Sequence, residues 1–140
     1  MNVNSSKYSV LRVCQKVFAR REILLDSIDH RQLYNLLEST LVLETIIMGI
    51  PLPPFYLIER RDGSREVLDG IKRLTAILDF IDDKFPLSGM RFYTQFEGLF
   101  FSQLPPIVRA HIEDYELLMH TFLPPVSSDF LSEMYSRLNK

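Results

Sequence analysis

Residues 55–81 read FYLIERRDGSREVLDGIKRLTAILDFI and contain the clearest change from strand-like to helix-like patterning in the chain. Two runs rich in aromatic and branched side chains flank Asp62-Gly63, a pair that favours a tight turn between antiparallel strands. A second pair, Asp69-Gly70, then leads into a segment with helical spacing. The stretch therefore predicts a β-hairpin followed directly by a helix.

The predicted helix has one apolar stripe and an uneven distribution of charge. At about 100° per residue, four apolar residues fall on one face. Lys72 lies nearly opposite them, so we expect it to face solvent, on the same side as Thr75, Asp79 and Asp82. Arg73 lies at the margin of the stripe, where it is better placed to border a cleft. The apolar residues of the stripe are Leu74, Ile77, Leu78 and Ile81.

Lys72 and Arg73 stand in the first turn of this helix, where cations oppose the partial positive charge of a helix N-terminus. A neighbouring carboxylate or a bound anion would account for them. Backbone amides at a helix N-terminus, together with one or two cations, can hold phosphate or carboxylate. The alternative is structural: Asp69 caps the helix, Gly70 relaxes the turn and Arg73 pairs with a carboxylate. The spacing leaves both open, because Asp-Gly-x-x-Arg lacks the glycines of a phosphate-binding loop.

Interleaved helix and strand patterns continue outside this stretch and predict a single domain, residues 1–140, of mixed α/β or α+β class. Gly49 marks the end of the longest predicted helix. Glu38 and Glu44 lie on that helix but on different faces. The predicted helices cover residues 10–18, 30–48 and 104–114, and a last one begins near Ser127 or Ser128. The further predicted strands cover residues 22–25 and 115–123.

The composition is that of a globular protein, with 46% hydrophobic and 24% charged residues among 140. A net charge of −2 argues against a general nucleic-acid-coating protein. The single cysteine, Cys14, excludes an internal disulfide and fits a reducing compartment. The sequence shows neither a signal-peptide pattern nor an apolar run of membrane-spanning length. We therefore expect a soluble cytoplasmic protein with no membrane partner.

Other residue types give weaker indications of chemistry. The three histidines, His30, His111 and His120, have no partner at metal-ligand spacing, so the sequence predicts no metal site. The aromatic residues between 92 and 101 are not interleaved with basic residues. We therefore expect them to fill the core rather than to stack on bases.

Four segments occur in the order LVLETIIMGIPLPPFYL, EVLDGIKRLTAILDF, GLFFSQLPPIVRAHIEDYEL and MYSRLN. In this order they resemble the N-terminal domain family of GmrSD-type restriction endonucleases, and the resemblance runs from about Val10 to the end of the chain. Its most specific parts are the apolar stretch before Gly-Ile-Pro and the Leu-Asp-Gly-x-x-Arg-Leu-Thr segment.

The resemblance implies a ParB/sulfiredoxin-like α+β fold with a small mixed sheet, a β-hairpin and flanking helices. It also implies a module that binds nucleoside triphosphate, with Mg2+ as the companion ion, and that in relatives hydrolyses it to drive restriction of modified DNA. DNA would be contacted through a larger assembly, because cleavage is associated with a separate nuclease domain. In the family, Phe-x-Arg-Leu-Asn leads into further helices, so we expect the chain to be the N-terminal part of a longer architecture.

The family's phosphate-site motif is Asp-Gly-Gln-Gln-Arg. Asp69, Gly70 and Arg73 match it, whereas Ile71 and Lys72 replace the two glutamines. By resemblance, all five residues bind the phosphates of the nucleotide, and Asp69 and Arg73 take part in catalysis.

A second family motif is Gln-Arg, followed by Trp four residues after the arginine. It aligns with Asp29, His30 and Tyr34. The alignment places His30 in the predicted phosphate-binding site. An unperturbed imidazole is mostly uncharged at neutral pH, so His30 would hold phosphate more weakly than an arginine does.

Two alternatives to nucleotide binding follow from the same residues. The replacements at positions 29–30 and 71–72 favour a non-catalytic interaction domain that keeps the fold and binds a second copy of itself or a partner chain. Direct DNA binding through Arg60, Arg61 and Arg65 of the hairpin is a weaker alternative, because arginines are also common in a solvated turn.

Overall fold

The computed structural model describes residues 2–25 and 34–138, and these form a mixed α+β fold around a five-stranded sheet. The strand order is β1-β5-β3-β4-β2. β1 pairs antiparallel with β5, and β3 pairs antiparallel with β4, while β5–β3 and β4–β2 are parallel pairs. The strands are β1 (Val3–Ser9), β2 (Ile23–Leu24), β3 (Phe55–Glu59), β4 (Arg65–Asp69) and β5 (Glu116–Phe122).

Five α-helices connect or flank the strands in the described part of the chain. A π-helical turn, Gln15–Ala19, extends the first of them. The helices are α1 (Val10–Cys14), α2 (Leu36–Ile47), α3 (Ile71–Ile81), α4 (Pro106–Asp114) and α5 (Ser128–Leu138). None of the helices within these ranges is long and apolar enough to cross a membrane.

The structure confirms the hairpin and the helix predicted from residues 55–81. β3 and β4 form the antiparallel pair, with Leu57 opposite Val67. Gly63, in the turn between them, has φ +88°, which glycine adopts without steric strain. After β4, only Gly70 separates the strand from α3. Sequence-local signals are sufficient here because each turn is set by its own residues.

One face of the sheet carries the hydrophobic core. Alternate strand residues point to opposite faces, so Phe55 and Leu57 of β3 face α1 to α4 and are fully buried. Tyr56 of the same strand lies on the other face, where it stacks on Phe122. The aromatic ring of Phe130 in α5 meets Phe122 edge-on, so α5 lies against this second face. The site candidates of residues 69–73 lie where β4 leaves the sheet.

Strand β1 is absent from the sequence predictions. Its residues, VNSSKYS, are mostly polar and show no alternation of apolar side chains. They form a strand because β5 offers them a free edge, with register running from Val3–Phe122 to Ser9–Glu116. A polar edge strand of this kind depends on its neighbour rather than on its own pattern.

Other predicted bounds also shift. α2 begins at Leu36, after an Asn35–Glu38 capping box that closes its N-terminus, whereas the prediction starts that helix at residue 30. Residues 26–33 lie outside the described residues. Ser127 Oγ accepts from the amide of Phe130 at the start of α5, as predicted for a cap at Ser127 or Ser128.

The solvent face predicted for α3 is wrong in part. Thr75 is buried, at 9% exposure, and Lys72 is half-buried, because α2 packs over that side of the helix. Asp82 is exposed, as predicted. Helical periodicity identifies the stripe that faces the sheet, but it does not identify a second element, here α2, that packs on another side of the helix.

The aromatic residues between 92 and 101 were expected to fill the core. Phe92, in the loop beyond α3, is 68% exposed, so this expectation is wrong for Phe92.

Candidate functional site

The turn from β4 into α3 is built around Gly70. Gly70 is the N-cap residue, with φ +99°, and no side chain makes a capping hydrogen bond there. The structural alternative in which Asp69 caps the helix is therefore not what the structure shows. A Cβ atom on Gly70 would lie 2.5 Å from Cδ1 of Phe55, so the ring of Phe55 needs the absence of a side chain at this position.

Arg73 directs its guanidinium towards the chain that precedes β3. Its Nη1 donates to the carbonyl oxygen of Pro53 at 2.5 Å, and its Nη2 donates to that of Pro54 at 3.2 Å. The guanidinium carbon lies 4.3 Å from the centroid of the Phe55 ring, and Nη2 is 3.9 Å from Oδ2 of Asp69. Only 13% of the side chain is exposed. Arg73 thus fastens the first turn of α3 to the segment between α2 and β3.

Burial has an electrostatic effect on this arginine. Desolvation lowers the pKa of Arg73 below its ordinary value, and the negative charge of Asp69 acts in the opposite direction. The two carbonyl oxygens accept the hydrogen bonds that the guanidinium would otherwise donate to water. A phosphate at this point would have to compete with those carbonyl groups.

Tyr115 fixes the same segment from the other side. Its hydroxyl donates to the carbonyl oxygen of Ile50 at 2.7 Å and accepts from the amide of Leu52 at 2.8 Å. Burial raises the pKa of Tyr115, although its hydrogen bond with Leu52 and the charge of Arg73 act against that shift. Residues 50–54 are therefore held by two side chains, one from α3 and one that follows α4.

Lys72 lies on a different side of the helix, in a cleft between α2 and α3. Its Nζ is 5.7 Å from the centroid of the Tyr34 ring. The cleft has a volume of about 200 Å³ and opens to solvent. Thr75 contributes to its wall, and its Oγ1 is buried without a hydrogen-bond partner among residues 2–25 and 34–138. The lining residues are Tyr34, Leu36, Ser39, Lys72, Thr75, Ala76, Asp79 and Phe85.

The five residues of the predicted phosphate motif are thus divided between two places. Asp69 and Arg73 approach each other beside Phe55, and Gly70 forms the turn between strand and helix. Lys72 alone of the five lines the cleft. Ile71 packs partly buried against the core. His30 lies outside the described residues.

Sequence reasoning missed two polar residues of the cleft, Ser39 and Thr75, which are both buried. No local signal identifies them, because their burial results from the contact between α2 and α3. Tyr34 was aligned with a family tryptophan, and it does lie at the cleft. Within the described ranges, no group of three or more His, Cys, Asp or Glu side chains could hold a metal ion.

Substitution of Arg73 by alanine is expected to lower the free energy of unfolding by about 2–4 kcal/mol, because the largely buried guanidinium loses two charge-assisted hydrogen bonds to the carbonyl groups of Pro53 and Pro54 and its contact with the Phe55 ring. Urea unfolding measures the change. The control is Arg137→Ala, which removes an exposed arginine paired with Glu133 in α5 and should change stability by less than about 0.5 kcal/mol. Equal losses in both variants would show that Arg73 does not fasten the segment.

Comparisons of this chain with models of known protein families, with curated proteins and with solved structures find no match.

Proposed function

We propose that this chain is a nucleotide-binding module of a GmrSD-like DNA restriction or defence system, with a ParB/sulfiredoxin-like fold. The ordered segments of the sequence support the family, and the mixed α+β fold with its hairpin and five-stranded sheet is compatible with it. The phosphates of a nucleoside triphosphate bind in the cleft between α2 and α3, where Lys72 is the cation that contacts them.

The cleft at Lys72 is the observation that carries this proposal. Its cation, Lys72, is the second x of the Asp-Gly-x-x-Arg segment that resembles the family motif. Its wall also holds the buried hydroxyl of Thr75, which has no hydrogen-bond partner among the described residues. Buried polar atoms in proteins are normally hydrogen-bonded. A phosphate oxygen bound beside Lys72 would accept from such a hydroxyl and from the ammonium group.

The size of the cleft limits what it encloses. A volume of about 200 Å³ is below the ~300–1,000 Å³ of pockets that enclose a whole small-molecule ligand. The cleft therefore takes the phosphate groups, and the nucleoside lies at its open mouth.

A companion Mg2+ fits this arrangement only in part. Mg2+ prefers oxygen ligands and is commonly held by one or two carboxylates together with substrate phosphates. Among the described residues, Asp79 is the one carboxylate that lines the cleft, and its Oδ1 lies 3.5 Å from Nζ of Lys84. Asp79 would hold the ion jointly with the triphosphate, and the ion would neutralise phosphate charge.

Asp69, Gly70 and Arg73 are positioning residues in this proposal. Gly70 lets α3 start directly beneath Phe55, and Arg73 fixes the first helical turn against the Pro53-Pro54 segment. Together they fix where α3 starts and how it is oriented, and this determines where Lys72 lies in the cleft.

Titration with ATP and GTP, with and without Mg2+, tests the proposal. Lys72→Ala should weaken binding by about 10–100-fold, which corresponds to one charge-assisted contact of about 1.5–3 kcal/mol. Lys7→Ala is the matched control, because Lys7 is an exposed lysine on strand β1. Equal affinities of all three proteins, or no binding by the wild type, would refute nucleotide binding at this cleft.

A second function, a non-catalytic interaction domain, is favoured by one observation. The guanidinium of Arg73, one of the three residues that match the family motif, is engaged by protein carbonyl groups. A domain that has given up its phosphate site would show such an arrangement. The interaction-domain function predicts that the chain does not bind nucleotide and that it forms a stable dimer in sizing experiments. A monomer that binds nucleotide would contradict this function.

A further inference from the structure

A cavity of about 420 Å³ lies on the second face of the sheet, between the hairpin and α5. Its volume falls within the ~300–1,000 Å³ of pockets that enclose a whole small molecule, whereas the cleft at Lys72 has only about 200 Å³. None of residues 69–73, which resemble the family motif, lines it. We call this space the α5 cavity.

The floor and one wall of the α5 cavity are apolar. Ile58 of β3 and Leu68 of β4 point to the second face of the sheet, because alternate strand residues point to opposite faces. Leu68 is only 9% exposed, although it lies outside the core cluster of the first face. Leu131 of α5, Val126 and two adjacent prolines add to the apolar lining. Burial of an apolar ligand body against these side chains favours binding.

The hairpin supplies a charged rim to the cavity. Oε2 of Glu66 lies 2.9 Å from Nη2 of Arg60, and Oε1 of Glu59 lies 3.7 Å from Nε of Arg65. Both carboxylates of the rim therefore have a basic partner. Arg61 also lines the cavity, and no ion pair involves it in the described part of the chain. One positive charge is thus left at the rim.

The carboxylate that follows Arg61 in the sequence is engaged elsewhere. Oδ1 of Asp62 accepts from the amide of Ser64 at 2.9 Å and from its hydroxyl at 2.6 Å. These hydrogen bonds, followed by the charge of Arg60, lower the pKa of Asp62. Asp62 is therefore fixed within the turn, and the guanidinium of Arg61 is available to an anion in the cavity.

Tyr135 of α5 lines the cavity and is 42% exposed, so it borders the mouth. Burial, followed by the charge of Glu66, raises the pKa of Tyr135. The phenol therefore stays protonated at neutral pH and adds no negative charge to the mouth. Its ring offers a flat apolar surface to a ligand.

We propose that the α5 cavity binds a small amphipathic carboxylate, with its aromatic or aliphatic body between α5 and the sheet and its anionic group at Arg61. A guanidinium binds a carboxylate through two parallel hydrogen bonds, which give both affinity and orientation. The ligand carries a single negative charge, because Glu59 and Glu66 would repel further ones. The same repulsion disfavours the triphosphate of a nucleotide, so this site is separate from the cleft at Lys72 and does not depend on it.

Titration calorimetry of the chain with carboxylates and their alcohol counterparts tests this proposal. The pairs are phenylbutyrate with phenylbutanol, naphthylacetate with naphthylethanol, and octanoate with octanol. In at least one pair, the wild type should bind the carboxylate about 10-fold more tightly than the alcohol, as expected for one charge-assisted contact. Arg61→Gln should remove that difference and leave the affinity for the alcohol unchanged. Val126→Trp should weaken the binding of both members, because an indole ring would fill the cavity.

Arg91→Gln is the matched control, because Arg91 is an exposed arginine in the loop beyond α3. It should bind carboxylates like the wild type, as should Lys72→Ala, which separates this result from that of the nucleotide titration. Circular dichroism shows whether each variant keeps the fold, and Arg61→Gln, an exposed substitution, decides the outcome if Val126→Trp does not fold.

Three results would overturn the proposal: no carboxylate binding by the wild type, equal affinities for carboxylate and alcohol in every pair, or equal weakening by Arg61→Gln and Arg91→Gln. A dimer of the wild type that Val126→Trp dissociates would also overturn it, because a second copy of the chain would then occupy the cavity.

Discussion

Replacement of Gly70 by alanine is expected to lower the free energy of unfolding by about 3 kcal/mol or more. Two effects add. Alanine at φ +99° has a steric cost of about 1–2 kcal/mol, and its Cβ would overlap the Phe55 ring at 2.5 and 3.0 Å. Overpacking of this kind costs about 1–3 kcal/mol. Phe55 is fully buried between the sheet and α3, so its ring has little room to move.

Gly63→Ala is the matched control for this prediction. Gly63 has φ +88°, and a Cβ there would meet nothing within 4 Å. The difference between the two variants in urea unfolding therefore isolates the contact with Phe55 from the backbone strain that both share. If the two substitutions lower stability equally, the packing of Phe55 against Gly70 is not what requires glycine.

Replacement of Glu44 by alanine is the second change with a large expected effect, about 3 kcal/mol or more. Glu44 is only 3% exposed, and its carboxylate accepts from the amides of Arg91 and Phe92, at 2.9 and 3.0 Å. The variant leaves two amides without their charged acceptor and opens space between α2 and the loop that follows α3. Each lost charge-assisted hydrogen bond of these partly buried amides costs about 1.5–3 kcal/mol.

Glu97→Ala tests whether the burial of Glu44 is the reason for the large effect expected of Glu44→Ala. Glu97 also accepts from two loop amides, those of Gly89 and Met90, but its side chain is exposed. Water can replace it there, so we expect a loss of only about 1 kcal/mol. Urea unfolding gives both values, and faster amide hydrogen exchange at Arg91 and Phe92 should accompany Glu44→Ala alone. Similar losses for the two glutamates would contradict the argument from burial.

The parts of the fold that sequence patterns predicted are those in which cause and effect lie close in the chain. The hairpin depends on Asp62-Gly63, and the start of α3 depends on Gly70. Strand β1 depends on its pairing with β5, more than a hundred residues away, and the composition of β1 does not predict a strand. Local signals fix local geometry, whereas edge pairing is a property of the assembled sheet.

The candidate site follows the same division. Helical angles placed Arg73 at the border of the apolar stripe, and it does lie at a margin. Its partners, the carbonyl groups of Pro53 and Pro54, come from a segment about twenty residues earlier, and main-chain oxygens leave no signature in a sequence. The periodicity of one helix assigns Lys72 and Thr75 to the solvent side, because it carries no information about α2, which packs there. Glu44 likewise acquired its role only from the loop that folds over α2.

The order of the strands has a consequence for biosynthesis. β5 lies between β1 and β3, so β1, which is made before the other strands of this sheet, lacks its partner until residues 116–122 have been made. Until β5 has been made, β1 is an open edge that other nascent chains could join. Its serine- and asparagine-rich composition offers other chains little apolar surface to pack against, so β1 is less prone to pair wrongly before β5 is made.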